Sequence, residues 1–325
     1  MKNNNQFGFI LKWVAIGCLM AWSRSSYAAE VVINAKIAPP KAGCTVYKME
    51  TPLMTKERLV DRCAKILEIS GFKSFSREMM KPVEDRMVIS GQEIEVSMNN
   101  NGTEFFYSNF PALKLTEKTG RLLPDEQAIK LARNYLINTG LIPRNQNELK
   151  IDHVGGIMQM LSNARVPEKK AVVVYFNREL DGLKVRNFGS SITVTLAESE
   201  IPVGVQYHWR EVASREKVGS RSLLGTEKVM SLIREDVNRV FAKEAKVIID
   251  KIELVLYDNG GNYIQPAYCY QGVRKSEGKG FADMPVLGYV PVMEKAYEPV
   301  THPAYSPLMK SPTIRIEKPV HDQDE

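Results

Sequence analysis

Three segments of the chain repeat apolar residues at helical spacing. They are residues 55–70, Asp125–Thr139 and 226–245. In each segment, apolar side chains recur three and four positions apart, the pattern of a helix that buries one face. Gly71 and Gly140 follow the first two segments and predict where those helices end. The sequence therefore predicts three amphipathic helices.

Stretches that alternate apolar and polar residues follow each predicted helix. Such alternation is typical of strands with one buried face. Asn-Asn-Asn-Gly and Asp-Asn-Gly-Gly are turn sequences that predict two hairpins. The predicted strands are 93–98, 104–110, 149–160, 171–176, 191–196, 203–209, 248–257, 263–270 and 287–293. A helix followed by antiparallel strands, three times over, predicts an α+β fold of tandem modules, each with one helix packed on an antiparallel sheet.

The spacing of these elements predicts a division of the chain into five parts. The last part carries five prolines among charged residues, a composition typical of extended chain. The parts are a signal peptide at 1–29, an N-terminal arm with a helix–hairpin module at 30–120, a central module at 121–215, a C-terminal helix–hairpin module at 216–293 and an extended tail at 294–325.

The first 29 residues have the composition of a secretory signal peptide. Lys2 supplies a positive head, residues 7–22 are mostly apolar, and small residues precede Glu30. An uncleaved anchor and lipid attachment at Cys18 are the alternatives. No later segment offers the roughly twenty continuous apolar residues that a spanning helix needs. We therefore expect a secreted or periplasmic protein with no transmembrane span after cleavage.

Removal of the signal peptide lowers the net charge of the chain, and the net charge bears on the kind of partner expected. The whole chain has 44 basic and 38 acidic residues and a net charge of +6. The leader takes away Lys2, Lys12 and Arg24 and no acid, which leaves 41 basic residues and a net charge of +3. A charge this small does not indicate nucleic acid or an anionic membrane as the partner.

Three cysteines remain in the exported chain, and that compartment preserves disulfides. Cys44 and Cys63 are near in sequence, so a bridge between them would fix the N-terminal arm to the first helix. The alternative is that Cys63, on the apolar face of its helix, belongs to the core. Cys269 is left as a free, buried thiol, and no spacing is typical of a metal site.

The stretch VVVYFNRELDGLKVRNFGSSITVTL, followed by IPVGVQYHWREV, carries a family resemblance. It resembles the modules of the PepSY and fungalysin/thermolysin-propeptide group, most strongly over 171–271. The resemblance implies a small noncatalytic α+β module of exported proteins that acts as an inhibitor, a folding assistant or a protein-binding domain. Since the chain has no His-Glu-x-x-His motif, it is not predicted to be a protease precursor.

The sequence contains few features that are typical of an enzyme. No Gly-x-Ser-x-Gly elbow, phosphate loop or dinucleotide fingerprint occurs, so we predict no catalytic residue, no metal and no cofactor. His208 lies on a predicted strand between two aromatic residues and is interpreted as structural. A pair formed by Cys269 and His208 is the remaining route to an enzyme.

Aromatic residues of the types that dominate interfaces are concentrated in the C-terminal half. We hypothesise that they form a surface for another exported protein; the alternative is that many belong to the core. They are Tyr207, Trp209, Tyr263, Tyr268, Tyr270 and Tyr289. The sequence thus favours an exported noncatalytic protein-binding protein, inhibitor-like or chaperone-like, that acts on another exported protein such as a hydrolase. The alternatives are an accessory or structural subunit of a secreted complex, such as a toxin or surface assembly, and an unrecognised hydrolase.

Overall fold

The structure is a computed structural model in which most of the chain is described. The described residues are 29–40, 43–72, 75–91, 94–109, 111–114, 120–160, 166–198, 200–241, 245–276 and 282–301. The predicted signal peptide, except Ala29, and residues 302–325 of the predicted tail lie outside these ranges.

The three predicted helices are confirmed. They are α1 (Lys56–Ile69), α2 (Asp125–Thr139) and α3 (Thr226–Val240). The side chain of Thr55 accepts a hydrogen bond from the backbone N–H of Arg58 and so caps α1. Gly140 ends α2 with a φ of 70°, a left-handed conformation that glycine adopts without steric cost. The third helix is shorter than predicted, since it ends at Val240.

The predicted fold class is wrong. The described residues form a mostly β protein, with 45% of them in strands and 23% in helices. Fifteen strands make one large mixed sheet, so the chain is not a series of tandem modules with one helix on each antiparallel sheet. The strands are β1 (Glu30–Ile33), β2 (Cys44–Met49), β3 (Lys81–Val83), β4 (Arg86–Ser90), β5 (Ile94–Asn99), β6 (Glu104–Asn109), β7 (Leu149–Gln159), β8 (Glu168–Leu180), β9 (Leu183–Arg186), β10 (Ser191–Leu196), β11 (Pro202–His208), β12 (Val212–Val218), β13 (Lys246–Tyr257), β14 (Tyr263–Arg274) and β15 (Met284–Pro291).

Strands that are distant in sequence lie side by side, which explains the error. The order is β12-β2-β14-β13-β9-β8-β10-β11-β6-β5-β4-β3, with β1 beside β13, β15 beside β14 and β7 beside β8. The pairs β6–β11 and β2–β14 each join parts that were predicted to be separate modules. Alternation within a strand shows which side chains are buried, but it does not show which strand is the neighbour. The boundaries at 120, 215 and 293 stay a prediction.

Strands also occur in the N-terminal arm, where the sequence predicted none. Within residues 30–50, β1 pairs in parallel with β13, and β2 pairs with β12 and β14. Ala29, assigned to the leader, is buried, and its backbone N–H donates to Asn238 at 2.8 Å. This part of the chain is therefore integrated into the sheet.

Two separate cores are built on the sheet. Helices α1 and α2 cover one face of the half that runs from β8 to β4, where Ile66, Phe105 and Val194 are fully or almost fully buried. Helix α3 covers the half that contains β1, β13, β14 and β15, and Ile233 and Tyr270 lie in that core. On the second face of the β8-to-β4 half, the short 3₁₀ helix Pro111–Leu113 packs at one end, where Leu113 contacts a small cluster with Ala171 and Val203.

The predicted Cys44–Cys63 disulfide is absent from the structure, where all three described cysteines are free thiols. The reason is that the two residues belong to different cores. Cys63 points from α1 into the first core, 3.9 Å from the sulfur of Met98, whereas Cys44 at the start of β2 packs against the second. Burial raises the pKa of the Cys63 thiol to about 12.

Among the residues that the structure describes, no helix combines the length and the apolar character that crossing a bilayer requires.

Candidate functional site

Side chains on the uncovered face of the β8-to-β4 half line up in rows across the strands. Because antiparallel register places paired residues opposite each other, each row crosses the sheet at about 4.8 Å per strand. One row, the Phe106 row, contains Val88, Ser97, Phe106, Gln206, Thr193, Tyr175 and His153. The neighbouring His208 row contains Glu104, His208, Ser191, Asn177 and Lys150, and Arg86 on β4 is bound to Glu104 at its end.

A groove of about 580 Å³ lies along these two rows. It reaches from Arg86 on β4 to Tyr175 and Asn177 on β8, and Phe188 rises beside it from the loop between β9 and β10. Six strands at the usual spacing give it a length of about 24 Å. Its lining combines aromatic rings with amide and hydroxyl groups, so it offers both apolar area and hydrogen bonds.

A smaller cleft of about 230 Å³ adjoins the groove. Glu104, His208 and Phe188 line both spaces and so separate the cleft from the groove. The cleft lies where the β5–β6 turn, the end of β11, the β9–β10 loop and the β13–β14 turn meet. Its other lining residues are mostly polar and include Asn99, Asn101, Thr103, Asn259 and Asn262.

His208 lies at the boundary between the groove and the cleft. Burial lowers the pKa of its imidazole below the usual 6.5, and the charge of Arg86 lowers it further, while the carboxylates of Glu104 and Asp258 oppose the shift. Arg86 is itself bound to Glu104, and its Nη1 donates to the Ser97 hydroxyl at 3.0 Å. The imidazole is therefore neutral at neutral pH and contributes a hydrogen-bonding group to the site.

The loop that carries Phe188 is fixed to a buried carboxylate. Asp258, at the end of β13, is fully buried, and its Oδ2 accepts from the Ser190 hydroxyl at 2.6 Å. Its Oδ1 accepts from Arg210 at 2.8 Å and from the backbone N–H of Gly260 at 2.9 Å. The loop after β9, the end of β11 and the β13–β14 turn are thus held together around one carboxylate.

A second buried charged side chain, that of Arg178, holds the same region in place. The fully buried Arg178 on β8 donates from Nε to Glu148 at 2.8 Å and from Nη1 to the Arg210 carbonyl at 2.7 Å. Its guanidinium lies 4.5 Å from the centre of the Trp209 ring. This arrangement fixes the end of β11, from which His208 and Arg210 reach the site.

The six aromatic residues proposed from sequence are not brought together. Tyr207 and Trp209 lie in the first core, Tyr268 and Tyr270 in the second, and Tyr289 in a smaller cluster with Cys269. Tyr263 is half-buried and packs on Tyr297 with ring centres 5.1 Å apart. Because five of the six are almost fully buried, they do not form a binding surface on the exterior.

Cys269 and His208 are not brought together either. Cys269 on β14 lies in a cluster with Tyr257 and Tyr289, whereas His208 lies on β11, and β13, β9, β8 and β10 separate these two strands in the sheet order. Burial also raises the pKa of the Cys269 thiol, which disfavours the nucleophilic thiolate. The described residues contain no group of three or more histidine, cysteine, aspartate or glutamate side chains placed to hold a metal ion.

Sequence reasoning missed the residues that line the groove, although one signal was present. The alternation of Ser191–Leu196 predicted a half-buried strand with Thr193 and Thr195 on its polar face, and the structure confirms that pattern. What the sequence did not reveal is that the polar faces of six strands adjoin. Phe106 and Phe188 could not be recognised from sequence, because an aromatic residue within a strand or next to one is usually buried.

Comparisons with known proteins add little to this geometry. No protein-family model matches the chain, and no curated protein matches it. Among solved structures, the chain is similar to an uncharacterized protein from Eubacterium rectale, with 11% identity and a TM-score of 0.43 over 84% of this chain and 90% of that chain. The resemblance to the PepSY group stays a prediction.

Proposed function

We propose that this is an exported protein-binding protein, inhibitor-like or chaperone-like, which holds an extended segment of another exported protein in the groove. The observation that carries the proposal is the groove itself, about 580 Å³ along the face of the β8-to-β4 half opposite α1 and α2. The signal-peptide composition of residues 1–29 supports the compartment.

The lining of the groove suits a peptide backbone with apolar side chains. Phe106 and Tyr175 supply ring surface, while Gln206, Thr193 and Asn177 can donate to backbone carbonyls and accept from backbone amides. An extended chain of about seven residues covers about 24 Å. The groove is therefore long enough to hold a short linear segment along its whole length.

The distribution of charged groups along the groove suits a peptide ligand better than a neutral polysaccharide. Carboxylates lie at the β5–β6 end of the groove, where Glu95 is exposed and Glu104 is paired with Arg86. The β8 and β10 end is lined by uncharged groups. A peptide can match this asymmetry with a basic residue at one end and apolar residues at the other, whereas a neutral sugar chain cannot.

We expect Thr193→Trp to weaken peptide binding at least tenfold, since Thr193 lies on the central strand β10 and an indole there fills the groove. The probe is a random heptapeptide display library, from which peptides selected on the unaltered protein are measured by fluorescence polarisation. Thr195→Trp is the matched control, because Thr195 lies two residues further along the same face and outside the groove.

Three outcomes would contradict the proposal. The library could yield no binder, the two tryptophan variants could weaken binding equally, or an array of neutral oligosaccharides could bind in place of peptides. Thermal unfolding of both variants checks that they are folded before their affinities are compared.

A further inference from the structure

Among the exposed large apolar side chains of the described residues, Phe188 is the one that lines the groove. Its exposed fraction is 37%, and the ring lines both the groove and the cleft. Most of the large apolar side chains of this protein are instead in its cores. An exposed ring at the junction of two cavities provides apolar area that only a ligand would cover.

The backbone around Phe188 is held in place on both sides. Asn187, before it, has a φ of 77°, and Gly189, after it, has no room for a side chain, because a Cβ there would overlap the Asp258 carboxylate. The backbone N–H of Gly189 donates to the Asp258 carbonyl at 3.3 Å, and the hydroxyl of Ser190 donates to the Asp258 carboxylate at 2.6 Å.

A fixed loop gives the ring a fixed position before any ligand arrives. Asp258 is in turn held by Arg210, whose Nη1 donates to the carbonyl of Gly261. A ring that is already positioned loses little conformational entropy on binding, and this is the property that makes rigid aromatic residues effective anchors in interfaces. The loop therefore presents Phe188 as a preorganised contact.

We propose that Phe188 is the anchor residue of the groove, and that the bound segment places an aromatic or large aliphatic side chain against its ring. This rests on the proposed function and deepens it, because it states the side-chain class that the groove selects. The same geometry leaves the polar cleft beyond Phe188 to a neighbouring hydrogen-bonding side chain of the segment.

The test uses the heptapeptides selected on the unaltered protein. Phe188→Ala should weaken their binding at least tenfold, or about 1.4 kcal/mol, while Phe188→Tyr, which keeps the ring, should stay within threefold. Met284→Ala is the control, because Met284 is another exposed apolar residue, on β15, and it does not line the groove. Thermal unfolding should be the same for all three variants, since Phe188 lies outside every core cluster.

The peptide side of the contact is tested in the same experiment. Alanine in place of the large apolar residue of the peptide should weaken binding to the unaltered protein and have little further effect on Phe188→Ala, because the two changes remove one contact. If the unaltered protein and Phe188→Ala bind the heptapeptides equally well, Phe188 is not the anchor residue, but the groove can still be the peptide-binding site. If none binds the unaltered protein, the proposed function fails and the anchor fails with it.

Discussion

Replacing Arg178 with methionine should lower the free energy of unfolding by about 3–5 kcal/mol, because it leaves the buried carboxylate of Glu148 without its charged partner. The side chains of Arg178 and Glu148 are 0% and 8% exposed. The substitution also removes the donor to the Arg210 carbonyl and the contact with Trp209. Urea unfolding at neutral pH measures the loss.

Two further variants identify the cause of that loss. Arg144→Met removes a guanidinium that is 67% exposed and pairs with Glu50 and Glu211, so it should cost less than about 1 kcal/mol. Adding Glu148→Gln to Arg178→Met removes the uncompensated charge and should restore part of the stability. A loss for Arg178→Met no larger than that for Arg144→Met would show that the buried pair does not hold the fold.

Replacing Asp258 with alanine should also cost about 3–5 kcal/mol, because Arg210 loses its charged partner and the Ser190 hydroxyl and Gly260 amide lose their acceptor. The effect should be concentrated at the candidate site. Hydrogen–deuterium exchange should rise in the 187–190 loop and the 258–262 turn, which the carboxylate holds together.

The matched control is Asp283→Ala. Asp283 pairs with Lys275 on the surface, where its side chain is 37% exposed, so the change should cost much less stability than Asp258→Ala. If exchange in the 187–190 loop is unchanged in Asp258→Ala, the carboxylate does not position Phe188, and the preorganisation assigned to that loop is wrong.

Local elements of this fold could be predicted from the sequence because they depend on local patterns. The apolar spacing of Asp125–Thr139 and the glycine after it define α2 to the residue. The alternation at Ser191–Leu196 likewise defines β10. In both cases the residues that determine the element lie inside it or directly next to it.

The sheet could not be predicted, because its pairings depend on distant residues. Strand β6 lies beside β11 and β2 beside β14, and no periodicity within any of these strands specifies its neighbour. The error in fold class follows from this, since helix-then-strands was interpreted as a series of separate modules. Short strands such as β3 were missed because three residues are too few to show alternation.

The candidate site depends on the same long-range pairings. Phe106, Thr193 and Tyr175 adjoin only because β6, β11, β10 and β8 are neighbours in this order. The aromatic residues chosen from sequence were selected by residue type, and burial in the cores accounts for most of them. Residue type indicates a capacity for binding, whereas exposure decides whether that capacity is available.

The measurement that tests the central claim most directly is photo-crosslinking of a selected heptapeptide that carries benzoylphenylalanine, with the modified protein residues located by mass spectrometry. The groove account predicts adducts at Phe106, Phe188, Thr193 and Gln206 that disappear in Thr193→Trp and persist in Thr195→Trp. Adducts along the edge strand β7 or on β15, with none in the groove, would contradict it.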